Sequence, residues 1–180
     1  MSKSDLEREM SQATGLDVPA DIETLLGKGV VLSVSKDLDV EAAENSADGA
    51  NIPVAATVKG DPTAIEQVLG KLRAKTGDLP FLGTSASGDL IAIGPSEDYR
   101  KHVLAGGDLA SDDTFKDVVP DVAHASAVLY FNFDALEPAL EKASPGDASD
   151  LANLTPLRAI GISSWLDSGV AKFSIKVSTD

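Results

Sequence analysis

Apolar positions along this chain recur with two alternating periods, near 3.6 and near 2, so helices and strands should follow one another throughout. Ser4 to Thr14 reads as a polar helix ending near Gly15. In PADIETLLG, Ile22, Leu25 and Leu26 fall on one helical face and Gly27 supplies the stop. GVVLSV, rich in β-branched residues, predicts a strand, and PVAATVK a second. The DLDVEAAENSADGAN stretch between them is acidic and aperiodic and predicts a loop. The clearest helix follows. Asp61 stands at its N-cap and Pro62 at its first position, where the missing N–H does no harm. Ile65, Val68, Leu69 and Leu72 then make a single apolar stripe.

FLGTS and LIAIG predict two strands joined by a tight turn at Ser87-Gly88. Helices are expected over Ser96 to Leu104 and over Ser111 to Val119, the latter capped by Ser111 with Phe115, Val118 and Val119 inward. ASAVLYFNF is a strand with Ala127, Leu129, Phe131 and Phe133 on one face, and ALEPALEKA a helix capped by Asp134 with Glu137 completing a capping box. SPGDASD predicts a loop, followed by a short helical turn near Leu151.

A two-residue turn at Ser168-Gly169 sets the register of the C-terminal hairpin. Leu166 then pairs with Ala171, Ser164 with Phe173, Ile162 with Ile175 and Ile160 with Val177, giving one largely apolar face. The other face holds Gly161, Ser163 and Trp165 opposite Lys176, Ser174 and Lys172. The apolar face is expected to be core and the Trp165–Lys172 face wet or covered by another element. The same order of strand, capped helix, strand, turn, strand occurs over residues 52–94 and 126–177, which suggests a βαββ duplication. The predicted class is α+β, a mainly antiparallel sheet with helices packed on one face. Residues 1–180 suit one domain or two small related lobes.

Composition narrows the function classes. With 29 acidic and 15 basic residues the net charge is −14, a surface that repels phosphate backbones and anionic membranes. Nucleic acid is therefore not an expected partner. Cysteine is absent, which removes disulfides, thiol chemistry and Cys-based metal sites. Aromatic residues make up only 4%, so Ala, Val, Ile and Leu must build the core. The N-terminal MSKSDLEREM is charged and lacks the apolar stretch of a secretory signal, and no run approaches the ~20 apolar residues of a membrane helix. The helical pattern begins with no lead-in, as in a fragment of a longer protein.

Candidate chemistry is sparse. GPSEDYRKH brings Ser96, Asp98 and His102 together, but Ser96 lies six residues from His102, about 9 Å of helical rise, too far for a hydroxyl–imidazole pair. Ser96 reads as a cap, with Glu97 and Asp98 favoured by the helix dipole. His124 has no partner in sequence. Asp37, Asp39, Glu41 and Asp48 fit positions 1, 3, 5 and 12 of a calcium-binding loop, but Ala42 replaces its glycine and the flanks are strands where that motif needs helices. They stand as a weak Ca²⁺ candidate beside the reading as a solvated loop. No phosphate-binding glycine loop is present, and no cofactor is expected. Trp165, the only tryptophan, with Lys172 and Lys176 on the same hairpin face, is the candidate binding surface.

The phrases TGLDVPADIETLLGKGVVLSV, GDPTAIEQVLGKL, LIAIGPSEDYRKHVLAGGDLASDDTFKDVVPD, ASAVLYFNFDALEPAL and NLTPLRAIGISSWLDSGVAKFSIKVSTD cover nearly the whole chain. Together they resemble the C-terminal half of a family of actinobacterial, membrane-anchored or exported proteins known only as a domain of unknown function. The resemblance implies a cell-envelope, extracytoplasmic location, with membrane attachment only through an N-terminal anchor missing here. It carries no catalytic residue. Three readings stay open: a non-enzymatic domain binding a partner protein or small ligand, a hydrolase using carboxylates assembled by the fold, and a structural envelope module.

Overall fold

Asp61 and Pro62 start the longest helix among the described residues, as their order in sequence demands. The Asp61 carboxylate accepts from the backbone N–H groups of Thr63 and Ala64, so donors that a helix start leaves orphaned are satisfied. The structure, a computed structural model, describes residues 3–46, 49–50, 52–107, 109–120, 122, 125, 127–143, 155–168 and 170–180. It divides into two compact units, Met1–Gly106 and Gly107–Asp180.

The first unit runs α1 (Lys3–Thr14), α2 (Ala20–Leu26), β1 (Val30–Val34), α3 (Val40–Glu44), β2 (Val54–Lys59), α4 (Pro62–Thr76), β3 (Thr84–Ser87), β4 (Leu90–Ile93) and α5 (Glu97–Leu104), with a 3₁₀ turn at Pro80–Leu82. Its strands form an antiparallel sheet in the order β1-β2-β4-β3. The α4 stripe packs onto it: Ile65 and Leu69 meet Val58 and Ile91, with Leu25, Leu72, Leu82 and Ile93 around them. Each such burial contributes roughly 1.5–3 kcal/mol over exposure. On the opposite face Ala55 and Ala92 are buried where α5 crosses β2, β3 and β4. The α+β class is as expected, but helices cover both faces of this sheet and not one. The central strands show why. LIAI is apolar without alternation, as a strand buried on both sides must be.

The second unit contains α6 (Asp113–Val118) after a 3₁₀ turn at Leu109–Ser111, then β5 (Ala127–Asn132), α7 (Phe133–Ala143), β6 (Leu157–Asp167) and β7 (Val170–Thr179). The sheet is antiparallel in the order β5-β6-β7. The hairpin register is the one the turn predicted, from Ile160↔Val177 to Trp165↔Lys172, and Ser168 takes the left-handed conformation (φ 52°) that the turn needs. The element order β-α-β-β recurs in both units, yet the strand adjacency differs. β2 pairs with the last strand of its set, whereas β5 pairs with the first of its own.

Several local expectations are corrected. The acidic stretch after β1 contains α3, capped by Asp39, whose carboxylate accepts from Ala42 N–H. The β3–β4 turn is Gly88-Asp89, one residue later than expected, because Gly88 supplies the positive φ (60°). Asp112 caps α6 where Ser111 was expected, and Asn132 caps α7 in place of Asp134, accepting from Ala135 N–H. In each case a better-placed acceptor one or two residues away wins. SPGDASD and the turn near Leu151 lie outside the described residues.

Candidate functional site

The helix capped by Ser96 and carrying Asp98 and His102 is an anchoring element. Ser96 Oγ accepts from Tyr99 N–H at the start of α5, and the His102 ring stacks on Tyr99 at 6.0 Å. Glu97 pairs with Lys101 one turn on, which holds the Glu97 carboxyl below its ordinary range and the Lys101 ammonium above its own. The residue that matters most here is Arg100, buried although it is arginine. Its guanidinium donates to the carbonyls of Gly94 and Pro95 and, through Nε, to Ser85 Oγ at 3.2 Å. It thereby ties α5 to the end of β4 and to β3. Gly83 makes room for it, since a Cβ there would stand 2.8 Å from Arg100 Nη1.

Two ion pairs frame α4. Lys71 Nζ lies 2.7 Å from Asp21 Oδ2, and Asp17 N–H donates to the same oxygen. The Lys71 hydrogen bond, then the Asp17 N–H, hold the Asp21 carboxyl below the usual carboxylate range. The sign follows from linkage. A lowered folded-state pKa contributes stability above the unfolded-state value, about 4 for a free aspartate, and loses it as pH falls through the lowered value. Acid titration followed by circular dichroism is expected to show Asp21→Asn with a weaker pH dependence below about pH 4 than the parent chain. Identical acid limbs would remove Asp21 from the acid transition.

On the other side of α4, Arg73 donates to Glu66 Oε1 and to the Leu82 carbonyl, at 2.6 Å for the latter. Glu66 Oε2 is buried without a partner. Glu66 borders two open depressions, of about 510 Å³ beside Thr63, Gln67, Thr84 and Ser85, and of about 550 Å³ beside Arg73 and Asp78. Hydrolysis by carboxylates needs a general acid in a dry pocket. Here the depressions are open and the Glu66 carboxylate is engaged by Arg73.

Of the calcium candidates, only Asp37, Asp39 and Glu41 fall among the described residues. Asp39 serves as the α3 cap, Asp37 N–H is turned toward Ser35 Oγ, and Asp48 lies outside the described residues. Among the described residues, Asp37, Asp39 and Glu41 included, no three carboxylates or imidazoles gather around a common point. His124 lies outside the described residues.

What the described surface offers is exposed apolar strand. In the second unit the two sheet faces are the reverse of the sequence expectation. Ala159, Gly161 and Ser163 face α6 and are buried with Phe115, Val118 and Val119. Tyr130 joins them, its ring edge-to-face on Phe115 at 5.1 Å, and burial pushes its hydroxyl pKa up. The opposite face exposes Leu129, Phe173, Ile175 and Val177, with Phe173 71% accessible. Trp165 sits half-buried beside exposed Lys172 at the turn end of the α6 face, and exposed Lys176 is opposite Gly161. A signal for this was present: the alternating small residues Ala159, Gly161 and Ser163 form a smooth strip on which a helix can lie close, and the larger side chains stand on the other side.

In the first unit, β1 is an edge strand with Val30, Val31, Leu32 and Val34 exposed, Leu32 at 81%. Natural edges are more often blunted by charge than left apolar. No family model matches the chain, and neither curated proteins nor solved structures include a match. Among the described residues no helix is long and apolar enough to cross a membrane.

Proposed function

We propose that this chain is a non-enzymatic binding domain that works outside the cytoplasm and engages a protein partner through exposed β-structure. The observation that carries this reading is the face of the β5-β6-β7 sheet on which Leu129, Phe173, Ile175 and Val177 are more than half accessible. Adjacent large apolar side chains held in water on a rigid sheet mark a contact surface. The extracytoplasmic setting rests on the resemblance alone. The surface favoured from sequence, Trp165 with Lys172 and Lys176, lies on the other face, part of which packs against α6 at Ala159 and Gly161. The present reading rests instead on the face where Leu129, Phe173, Ile175 and Val177 stand exposed.

A photo-crosslinking residue at position 173 is expected to trap one discrete protein in intact cells, whereas one at Asp61 does not. Absence of any product at 173 rejects the reading. Fractionation of the same cells checks the location. A further expectation concerns stability. Phe173→Ser should change the unfolding free energy by no more than about 0.5 kcal/mol, the range of surface substitutions. A loss of roughly 3–5 kcal/mol, typical of emptying a core phenylalanine site, would show that this face is covered within the chain.

A further inference from the structure

We infer that the outer edge of β1 takes up an extended apolar segment of a partner protein that carries an acidic residue at each end, adding a strand to the sheet beside β2. The inference rests on the binding-domain reading and deepens it by naming the chemistry of one partner segment.

The backbone defines the edge. Ser35 N–H donates to the Pro53 carbonyl at 3.0 Å and Lys59 N–H to the Gly29 carbonyl at 3.0 Å, which fixes the alternation of the β1–β2 ladder. Val31 and Ser33 stand in the hydrogen-bonded positions opposite Thr57 and Ala55. The N–H and C=O groups of Val30, Leu32 and Val34 therefore point away from β2, to the side where the sheet ends. Three residues thus offer three donors and three acceptors to an incoming strand. Their side chains, with Val31 on the other face, supply the apolar contact that makes strand addition more than a set of hydrogen bonds exchanged with water.

Charge selects the occupant. In a chain of net charge −14, this strand is bracketed by Lys28 and Lys36, both exposed. The ion pairs of the described residues leave both lysines out, although they engage Lys59, Lys71, Lys101 and Lys116. After Lys36 the chain turns back, Leu38 N–H closing onto the Ser35 carbonyl, so Asp37 does not prolong the edge. A carboxylate at each end of an apolar strand would meet these ammonium groups. A second copy of this chain fits less well. Antiparallel self-pairing centred on Leu32 would use the outward backbone groups, but it sets Lys28 against Lys36 of the other copy at both ends, and like charges placed directly opposite are destabilising.

The test uses the whole chain, labelled with nitrogen-15, and a blocked synthetic probe with one residue for each position from Lys28 to Lys36. The probe alternates threonine and valine and has aspartate at both ends; the comparison probe has lysine at both ends. Saturable shifts confined to β1 and its neighbours are expected, with exchange of the Val30, Leu32 and Val34 amides slowed at least about tenfold. The lysine-ended probe should bind about tenfold more weakly, and the double variant Lys28→Glu/Lys36→Glu should reverse that preference. Leu32→Pro should abolish binding while leaving the thermal midpoint unchanged, because the Leu32 N–H lies outside the β1–β2 ladder. Equal binding of both probes, or amides that exchange no more slowly with the aspartate probe, overturns the inference. So does protection of the same amides by raising the concentration of the chain alone, which would make a second copy the occupant. These outcomes leave the crosslinking result at position 173 untouched, so failure here is separable from failure of the broader reading.

Discussion

Gly161→Val is expected to destabilise the C-terminal unit by about 3 kcal/mol, the upper part of the range for forcing extra methyl groups into a packed site. Gly161 lies on β6 directly beneath the end of α6. A Cβ built there meets the Val118 carbonyl inside van der Waals contact and stands 2.8 Å from Val119 Cγ2. The nearest obstacle is backbone, so a rotamer change cannot relieve it. Either α6 lifts off the sheet, re-exposing Phe115, Val118 and Val119, or the strand bends. Trp165 is the only tryptophan and lies on the same strand, so its fluorescence during urea unfolding reports this unit directly. The expected result is a lower midpoint with a similar slope. An unchanged midpoint would mean that α6 does not rest on this face. Paired with Phe173→Ser, the experiment asks which side of the sheet is inside, and the structure expects a large loss at the smallest residue and almost none at a phenylalanine.

Arg100→Met should destabilise the N-terminal unit by about 3 kcal/mol, as removal of a buried, multiply bonded guanidinium leaves its acceptors unpaired. Methionine nearly matches the stem in length, so packing is largely kept. What is lost are donors to Gly94 O, Pro95 O and Ser85 Oγ. These acceptors lie on the end of β4 and on β3, so amide exchange in Ser85 and Ala92 should accelerate more than in the middle of α4. Arg100→Lys should recover only part of the loss, because one ammonium cannot reach three acceptors spread across the guanidinium plane. If Arg100→Met unfolds at the parent midpoint, water already satisfies these carbonyls and the residue is not the tie described here.

Legibility from sequence followed the range of the interactions. The α4 cap and stripe, the stop at Gly27, the Ser96 cap and the register of the β6–β7 hairpin depend on residues a few positions apart, and these were readable. Cap positions are legible only to within one or two residues where neighbours offer rival acceptors, as at Ser111 against Asp112 and Asp134 against Asn132. The helix around Asp39 is not legible in the acidic stretch because a single helical turn is too short to show a period. Dismissal of the Ser96–Asp98–His102 grouping needed only the rise of a helix. The burial of Arg100 could not be foreseen from its place on a helix surface, because it depends on how α5 packs over β3, which supplies Ser85 Oγ, and over the end of β4, which supplies the Gly94 and Pro95 carbonyls.

The sequence by itself determined the alternation of elements, the α+β class and the separation of two chemically different faces on the C-terminal hairpin. Which of those faces became interior was decided only by the tertiary structure. Side-chain alternation sorts residues into two sets but carries no sign, and hydrophobicity alone assigned the sign wrongly here. Close packing supplied it, since α6 could settle on the strip of Ala159, Gly161 and Ser163, where at Gly161 the strand lies against the Val118 carbonyl and the small Ala159 packs with Phe115, Val118 and Val119. The bulkier Phe173, Ile175 and Val177 were thereby turned to the outside.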